Sequence, residues 1–186
     1  MDIFEEYLGK RDTNEFVKQA LTDSSFNAYR CRGIKKENPQ FEERHTPLKT
    51  NFDMATFGDA ILKLVLIEHL WNEVSQPTEE KSLLESDMML VEVIARHYKI
   101  LDFLQYDTGE NDPSGSNHLP QDYDYCSSRE SNKNPHKYIA TCVEALIAAI
   151  YLDAPDENRE KLKRLIIDRW IPMIRNSQVY QEKKRK

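Results

Sequence analysis

Two carboxylates stand where hydrophobic burial alone would not put them. Asp59 lies in Ala55-Thr-Phe-Gly-Asp-Ala-Ile-Leu, and Glu144 lies in Thr141-Cys-Val-Glu-Ala-Leu-Ile-Ala. A buried carboxylate without a partner is costly, so each demands a base, several donors or a cation. Two chemistries meet that demand. One is structural: a pairing with Lys63, with Arg96 or with a helix terminus. In the other, Asp59 and Glu144 face each other and hold a divalent metal through oxygen ligands. Gly58 bears on the choice. Glycine inside a helix costs roughly 1 kcal/mol relative to alanine, and its usual recompense is the close approach of another helix or a ligand. The small residues Ala140, Ala145, Ala148 and Ala149 suit such an approach.

The elements that must position these groups read as helices. Residues 52–74 form a strong helical candidate, apolar nearly all round through Ile61, Leu62, Leu64, Val65, Leu66 and Ile67, which predicts a central place. Residues 137–153 form a second such helix, stopped by Ala154-Pro155. Between them, Pro77-Thr-Glu-Glu opens a helix carrying Leu83, Leu84, Met88, Leu90, Val91, Ile94 and Ala95. Asp12 with Glu15 reads as a capping box for a helix through Leu21. Ser24-Ser25 would cap another, with Phe26 and Tyr29. Residues 32–49 look like a loop, and residues 98–104 like a short extra helix. Asp156 would cap a last helix through Leu162, Leu165, Ile166, Trp170 and Ile174, which Pro172 should kink or end. No strand pattern stands out, so the fold class is all-α.

Composition narrows the function classes. The chain has 186 residues, a net charge of −6, 39% hydrophobic and 31% charged residues. That length suits one domain. The acidic balance argues against nucleic-acid binding through overall positive charge, but leaves room for metal ions or local basic patches. Three cysteines, Cys31, Cys126 and Cys142, form no CxxC pair. They suggest a reducing compartment, and Cys142 reads as a buried, inert thiol. With no apolar signal core and no run long enough to span a membrane, the expectation is a soluble intracellular protein. The five histidines, His45, His69, His97, His118 and His136, make no metal-binding spacing. Residues 106–136 hold six acids and two bases amid Gly, Pro, Ser and Asn. They read as a surface insertion loop. Tyr123 and Tyr125 alternate there with Asp122 and Asp124, which suits docking of a protein partner better than stacking on RNA bases. The division expected is a domain over 1–177 and a basic C-terminal tail over 178–186. Lys183-Lys-Arg-Lys reads as a solvated end or as a phosphate contact.

Three segments, in order, carry a family resemblance. Ala20-Leu-Thr-Asp-Ser-Ser-Phe is similar to an Ala-Leu-Thr-His-Ser-Ser-Tyr segment. Asn51-Phe-Asp-Met-Ala-Thr-Phe-Gly-Asp-Ala is similar to the signature Asn-Glu-Arg-Leu-Glu-Phe-Leu-Gly-Asp-Ala. Thr141-Cys-Val-Glu-Ala-Leu-Ile-Ala-Ala-Ile-Tyr-Leu-Asp is similar to Asp-x-x-Glu-Ala-Leu-Ile-Gly-Ala-Ile-Tyr-Leu-Asp. Together, across roughly residues 13–170, they resemble the ribonuclease III catalytic domain. The resemblance implies an all-α homodimer that hydrolyses the phosphodiester bonds of double-stranded RNA with Mg²⁺ or Mn²⁺. The metal activates water and stabilises charge on the scissile phosphate.

The resemblance also implies four metal-binding carboxylates, and it carries over only two, Asp59 and Glu144, as catalytic and metal ligands. The family's other acidic positions are degenerate here. Phe52 and Ala55 replace signature acids, and Thr141 replaces the aspartate three residues before Glu144. A further family acid falls loosely on Glu79 or Glu80. Glu85 or Asp87 offers a substitute ligand, whereas Asp53 lies off the face of Asp59. Two functions therefore stay open. One is a metal-dependent endoribonuclease acting in RNA processing. The other is a degenerate ribonuclease III fold that dimerises and binds RNA or protein. Too few residues follow Trp170 for a separate double-stranded RNA-binding domain to be expected there.

Overall fold

A computed structural model describes residues 1–23, 49–105 and 135–185, with no side-chain detail at Pro135 and His136. The expectations for Ser24, Ser25, Phe26, Tyr29, Cys31, His45, His118, Cys126, the tyrosines at 123 and 125 and nearly all of the 106–136 loop lie outside the described residues. Within them the chain is helical. Its one β-type contact is an isolated bridge between Thr22 and Gln105, where Gln105 N–H donates to the Leu21 carbonyl at 2.8 Å.

Helix α1 (Ile3–Leu8) starts at a capping box of Asp2 and Glu5 and buries Phe4, Tyr7 and Leu8. The sequence pattern predicts no helix there. Helix α2 (Glu15–Ala20) begins at Asn14, whose side chain accepts from the N–H groups of Phe16 and Val17. Asp12 is therefore not its cap. Asn14 lies nearer the first turn and reaches two of the free amides there.

Helix α3 (Asn51–Leu70) and helix α6 (Pro135–Asp153) form the central pair. Helix α6 is buried on almost every side: Ile139 and Ala140, then Cys142 and Val143, then Ala145 through Ile150 are all at most 1% exposed. Helix α3 is not. It packs Met54, Ala55, Gly58, Leu62, Val65 and Leu66 inward but leaves Phe57 42% and Leu64 50% exposed. Its all-round apolarity reflects one core face and one outer face.

The expected single helix over 78–95 is two elements. Helix α4 (Pro77–Leu84) ends at Glu85. Ser86 is extended (φ −63°, ψ 144°) and turns the chain into α5 (Asp87–Met89), which runs on as a π-helical turn over Leu90–Ala95. Ile100–Asp102 is one 3₁₀ turn entered through Lys99 in the left-handed region (φ 52°), shorter than the helix expected over 98–104.

Helix α7 (Pro155–Leu165) takes Ala154, not Asp156, as its boundary. Pro155 occupies the first helical position, where a missing N–H does no harm. A second π-turn, Ile166–Trp170, leads into α8 (Ile171–Asn176). Pro172 does not end the helix. It sits in the opening turn of α8, and the helix stops at Ser177. Helix α9 (Gln178–Lys184) follows, capped by Ser177 and anchored by Tyr180, which is 2% exposed. No helix among the described residues is long and apolar enough to cross a membrane.

Candidate functional site

The approach of α3 to α6 is set by Gly58. A Cβ placed there would lie 1.7 Å from the Glu144 carbonyl oxygen and 3.2 Å from the Ala148 nitrogen. Only a residue without a side chain lets the two backbones come this close. The same contact fixes the register of the pair: Asp59 follows Gly58 on one helix, and Glu144 is the residue whose carbonyl Gly58 meets on the other.

Both carboxylates line one open cleft of about 430 Å³. The break between α4 and α5 supplies a third wall, with Glu85, Ser86 and Asp87. The structure thus brings together Asp59, Glu144 and the two substitute acids weighed from sequence. Phe52, Ala55 and Thr141 line the cleft as well. Ala55 is buried and offers a methyl group. Phe52 is 68% exposed. Thr141 turns its hydroxyl back along α6, donating to the Lys137 carbonyl at 2.7 Å. Asp53 is exposed and outside the cleft.

Glu79 and Glu80 are not in this cleft. Glu80 faces the C-terminal helices, where its carboxylate accepts from Tyr180 Oη at 2.7 Å and Arg175 Nε at 2.9 Å. Burial works to raise its pKa, but these hydrogen bonds and the charge of Lys184 outweigh burial and hold it below the usual value. Arg175 reaches on to Glu73 at 3.3 Å, and Glu73 also meets His69 Nε2 at 3.0 Å. His97 packs edge-on against Tyr98. Cys142 is fully buried, and burial pushes its thiol pKa up, so it is no nucleophile.

The cleft's electrostatics are uneven. Glu144 is pushed up to about 7, first by burial and then by the negative charges of Asp59 and Asp87, with Lys63 acting the other way. Asp59 is ion-paired: Lys63 Nζ donates to its Oδ2 at 2.6 Å. Glu85 is ion-paired too, with Lys81 Nζ 2.8 Å from both of its carboxylate oxygens. Among the described residues, no three His, Cys, Asp or Glu side chains converge in a group able to hold a metal ion. The donor set present therefore does not fit the four-carboxylate site that the sequence motifs imply. The positions that would complete it carry a methyl, a back-bonded hydroxyl and a phenyl ring. Of the two lysines, Lys63 is among the candidate partners that the sequence offers, and Lys81 is not, since Lys81 and Glu85 meet where α4 ends.

Comparison with known proteins gives a consistent set of matches. The model of the Ribonuclease III domain family matches residues 53–155. Ribonuclease 3 of Clostridium kluyveri is 30% identical over 165 residues, covering 86% of this chain and 53% of that protein. Ribonuclease 3 of Shewanella piezotolerans is 28% identical over 166 residues, covering 87% of this chain and 58% of that protein. The chain spans about half the length of the curated relatives it matches.

Proposed function

Because this chain belongs to the ribonuclease III domain family, we propose that it serves as a dimerising, double-stranded RNA-associated module of that fold whose cleft does not support the family's metal-dependent cleavage. One observation supports this reading: Ala55 and Thr141 line the cleft with Asp59 and Glu144, at positions where the family resemblance calls for carboxylates. Mg²⁺ and Mn²⁺ are hard cations that bind through carboxylate and water oxygens. A methyl group gives no ligand, and a hydroxyl is a weaker one than a carboxylate. Dimerisation is assigned to the outer face of α3, where Phe57, Ile61 and Leu64 line an apolar pocket of about 340 Å³ with Tyr151.

A second reading has its own support. Asp59, Glu85, Asp87 and Glu144 share the cleft, and the burial and then the negative charges of Asp59 and Asp87 that lift Glu144 to about 7 are penalties a divalent cation would relieve. On that reading the chain is an endoribonuclease with a rearranged Mg²⁺ or Mn²⁺ site, held by Asp59 and Glu144 with Glu85 and Asp87 in support.

Incubation of the protein with double-stranded RNA and Mg²⁺ or Mn²⁺ separates the two. The expected result is no cleavage by the parent and cleavage by the double variant Ala55→Glu with Thr141→Asp. Cleavage by the parent that disappears in Glu144→Ala overturns the module and establishes the rearranged enzyme.

A further inference from the structure

We propose that the Lys63 ammonium is a tethered cation, standing among the cleft's carboxylates, which competes with a divalent metal for Asp59 and so weakens the cleft's hold on such an ion. This inference rests on the non-cleaving reading above and gives it a physical agent beyond the missing ligands.

The geometry is specific to this chain. Lys63 follows Asp59 by one turn of α3, and its Nζ reaches Oδ2 at 2.6 Å, a charge-assisted contact at the short end of the range. It lines the cleft beside Glu85, Glu144 and Thr141. The Asp59 hydrogen bond is the largest influence that keeps the ammonium protonated. Burial opposes it, and the charges of Asp59, Glu85 and Glu144 add to the hydrogen bond so that the net effect favours the ammonium. Three acids from three elements (α3, the end of α4, and α6) thus act on one nitrogen. The relation is reciprocal, because Lys63 is the group whose charge offsets the repulsion on Glu144.

An ammonium suits this role. It is a compact point charge on a flexible stem, and it imposes no coordination geometry. A divalent ion would have to displace it from Asp59 Oδ2 or sit beside it at close range, where like charges repel strongly. Mg²⁺-type ions bind through as few as one or two carboxylates with the rest of the shell water. Asp59 and Glu144 are therefore enough for a modest site once the ammonium is gone, even without the acids lost at 55 and 141. The second pair, Lys81 with Glu85, withdraws another carboxylate by the same means.

The test is Mn²⁺ binding to the full chain, read from the loss of the free-ion electron paramagnetic resonance signal, with no nuclease readout. Lys63→Met should tighten Mn²⁺ binding by about tenfold or more over the parent. Lys63→Arg, which keeps the charge, should not. Adding Asp59→Asn to Lys63→Met should abolish the gain. Lys63→Gln provides the same comparison if the methionine variant is poorly folded by circular dichroism. The inference is overturned if the parent already binds Mn²⁺ as tightly as the neutral variants. It is equally overturned if folded neutral variants gain nothing, or if the gain survives Asp59→Asn. Cleavage of RNA by the parent would sink the functional reading itself. Unchanged Mn²⁺ affinity with a non-cleaving parent sinks only the role given to Lys63.

Discussion

Glu144 shows how one side chain reports on its surroundings. Its carboxyl is held near pH 7 in the folded protein, against about 4.5 for an ordinary glutamate. Between those values the folded state keeps a proton that the unfolded chain has released. Folding therefore takes up a proton, and stability must fall as pH rises from about 4.5 to about 7, levelling off above that. Glu144→Gln removes the titration. In metal-free buffer, thermal melts of parent and variant should nearly coincide at pH 4.5, and the variant should melt several degrees higher at pH 8. Melting curves that stay parallel across that range would show that the carboxylate is not squeezed by burial and by Asp59 and Asp87. Much of this was readable in advance. An acid in an apolar helix, opposite a second acid in another apolar helix, already posed the question of a partner. The sequence could not say that the partner at Asp59 is Lys63, because a lysine four residues away on a helix is as often solvated as paired.

At the scale of elements, the crossing of α3 and α6 depends on the missing side chain of Gly58. Gly58→Ala would force a methyl onto the Glu144 carbonyl, which is backbone and cannot rotate away. The expected outcome is a loss of about 3 kcal/mol or more by urea denaturation, at the severe end for overpacking. Gly9→Ala is the contrasting case. Its φ is −65°, and the added Cβ meets the Glu6 and Glu5 carbonyls at 3.4 and 3.8 Å, ordinary van der Waals contact, so the change should be neutral or stabilising by about 0.5 kcal/mol. The close contact at Gly58 was inferable from a helical glycine facing a run of alanines. The boundaries were less so. Asn14 displaces Asp12 as a cap because the chain enters α2 two residues later than its charge pattern suggests. Ser86 breaks the helix over 78–95 although the apolar spacing runs straight through it, since Leu84 and Leu90 still reach one core from two separate segments. Helix α1 is not legible in the sequence because six residues are too few for periodicity to register, and it is docking of Phe4 and Tyr7 that holds it.

For the whole molecule, the exposed face of α3 is the feature that asks for a partner. Phe57 and Leu64 are large apolar residues left about half in water beside Ile61 and Tyr151, with Arg159 and Lys163 around them. A second copy meeting this face would bury it in an isologous interface, which fits the homodimer proposed above. Sedimentation velocity should give a dimer at micromolar concentration. Leu64→Glu, which places a charge at the centre of the face, should give a monomer with unchanged helical content. A parent that sediments as a monomer would leave the face to some other protein. The all-α class was plain from periodicity, but this surface was not, because a helix apolar all round looks the same in sequence whether its second face meets the core or another molecule.

The π-turns at Leu90–Ala95 and Ile166–Trp170 each close over five residues where an α-turn closes over four, so each stores about one residue beyond the ordinary count. Both are walled in by core: Val91 and Ile94 are wholly buried, and Ile166 and Trp170 nearly so. Removing one residue at either place would return the turn to ordinary α-winding while the helical faces before and after it keep their neighbours. The change in length would be taken up by backbone winding, and the interior would be spared.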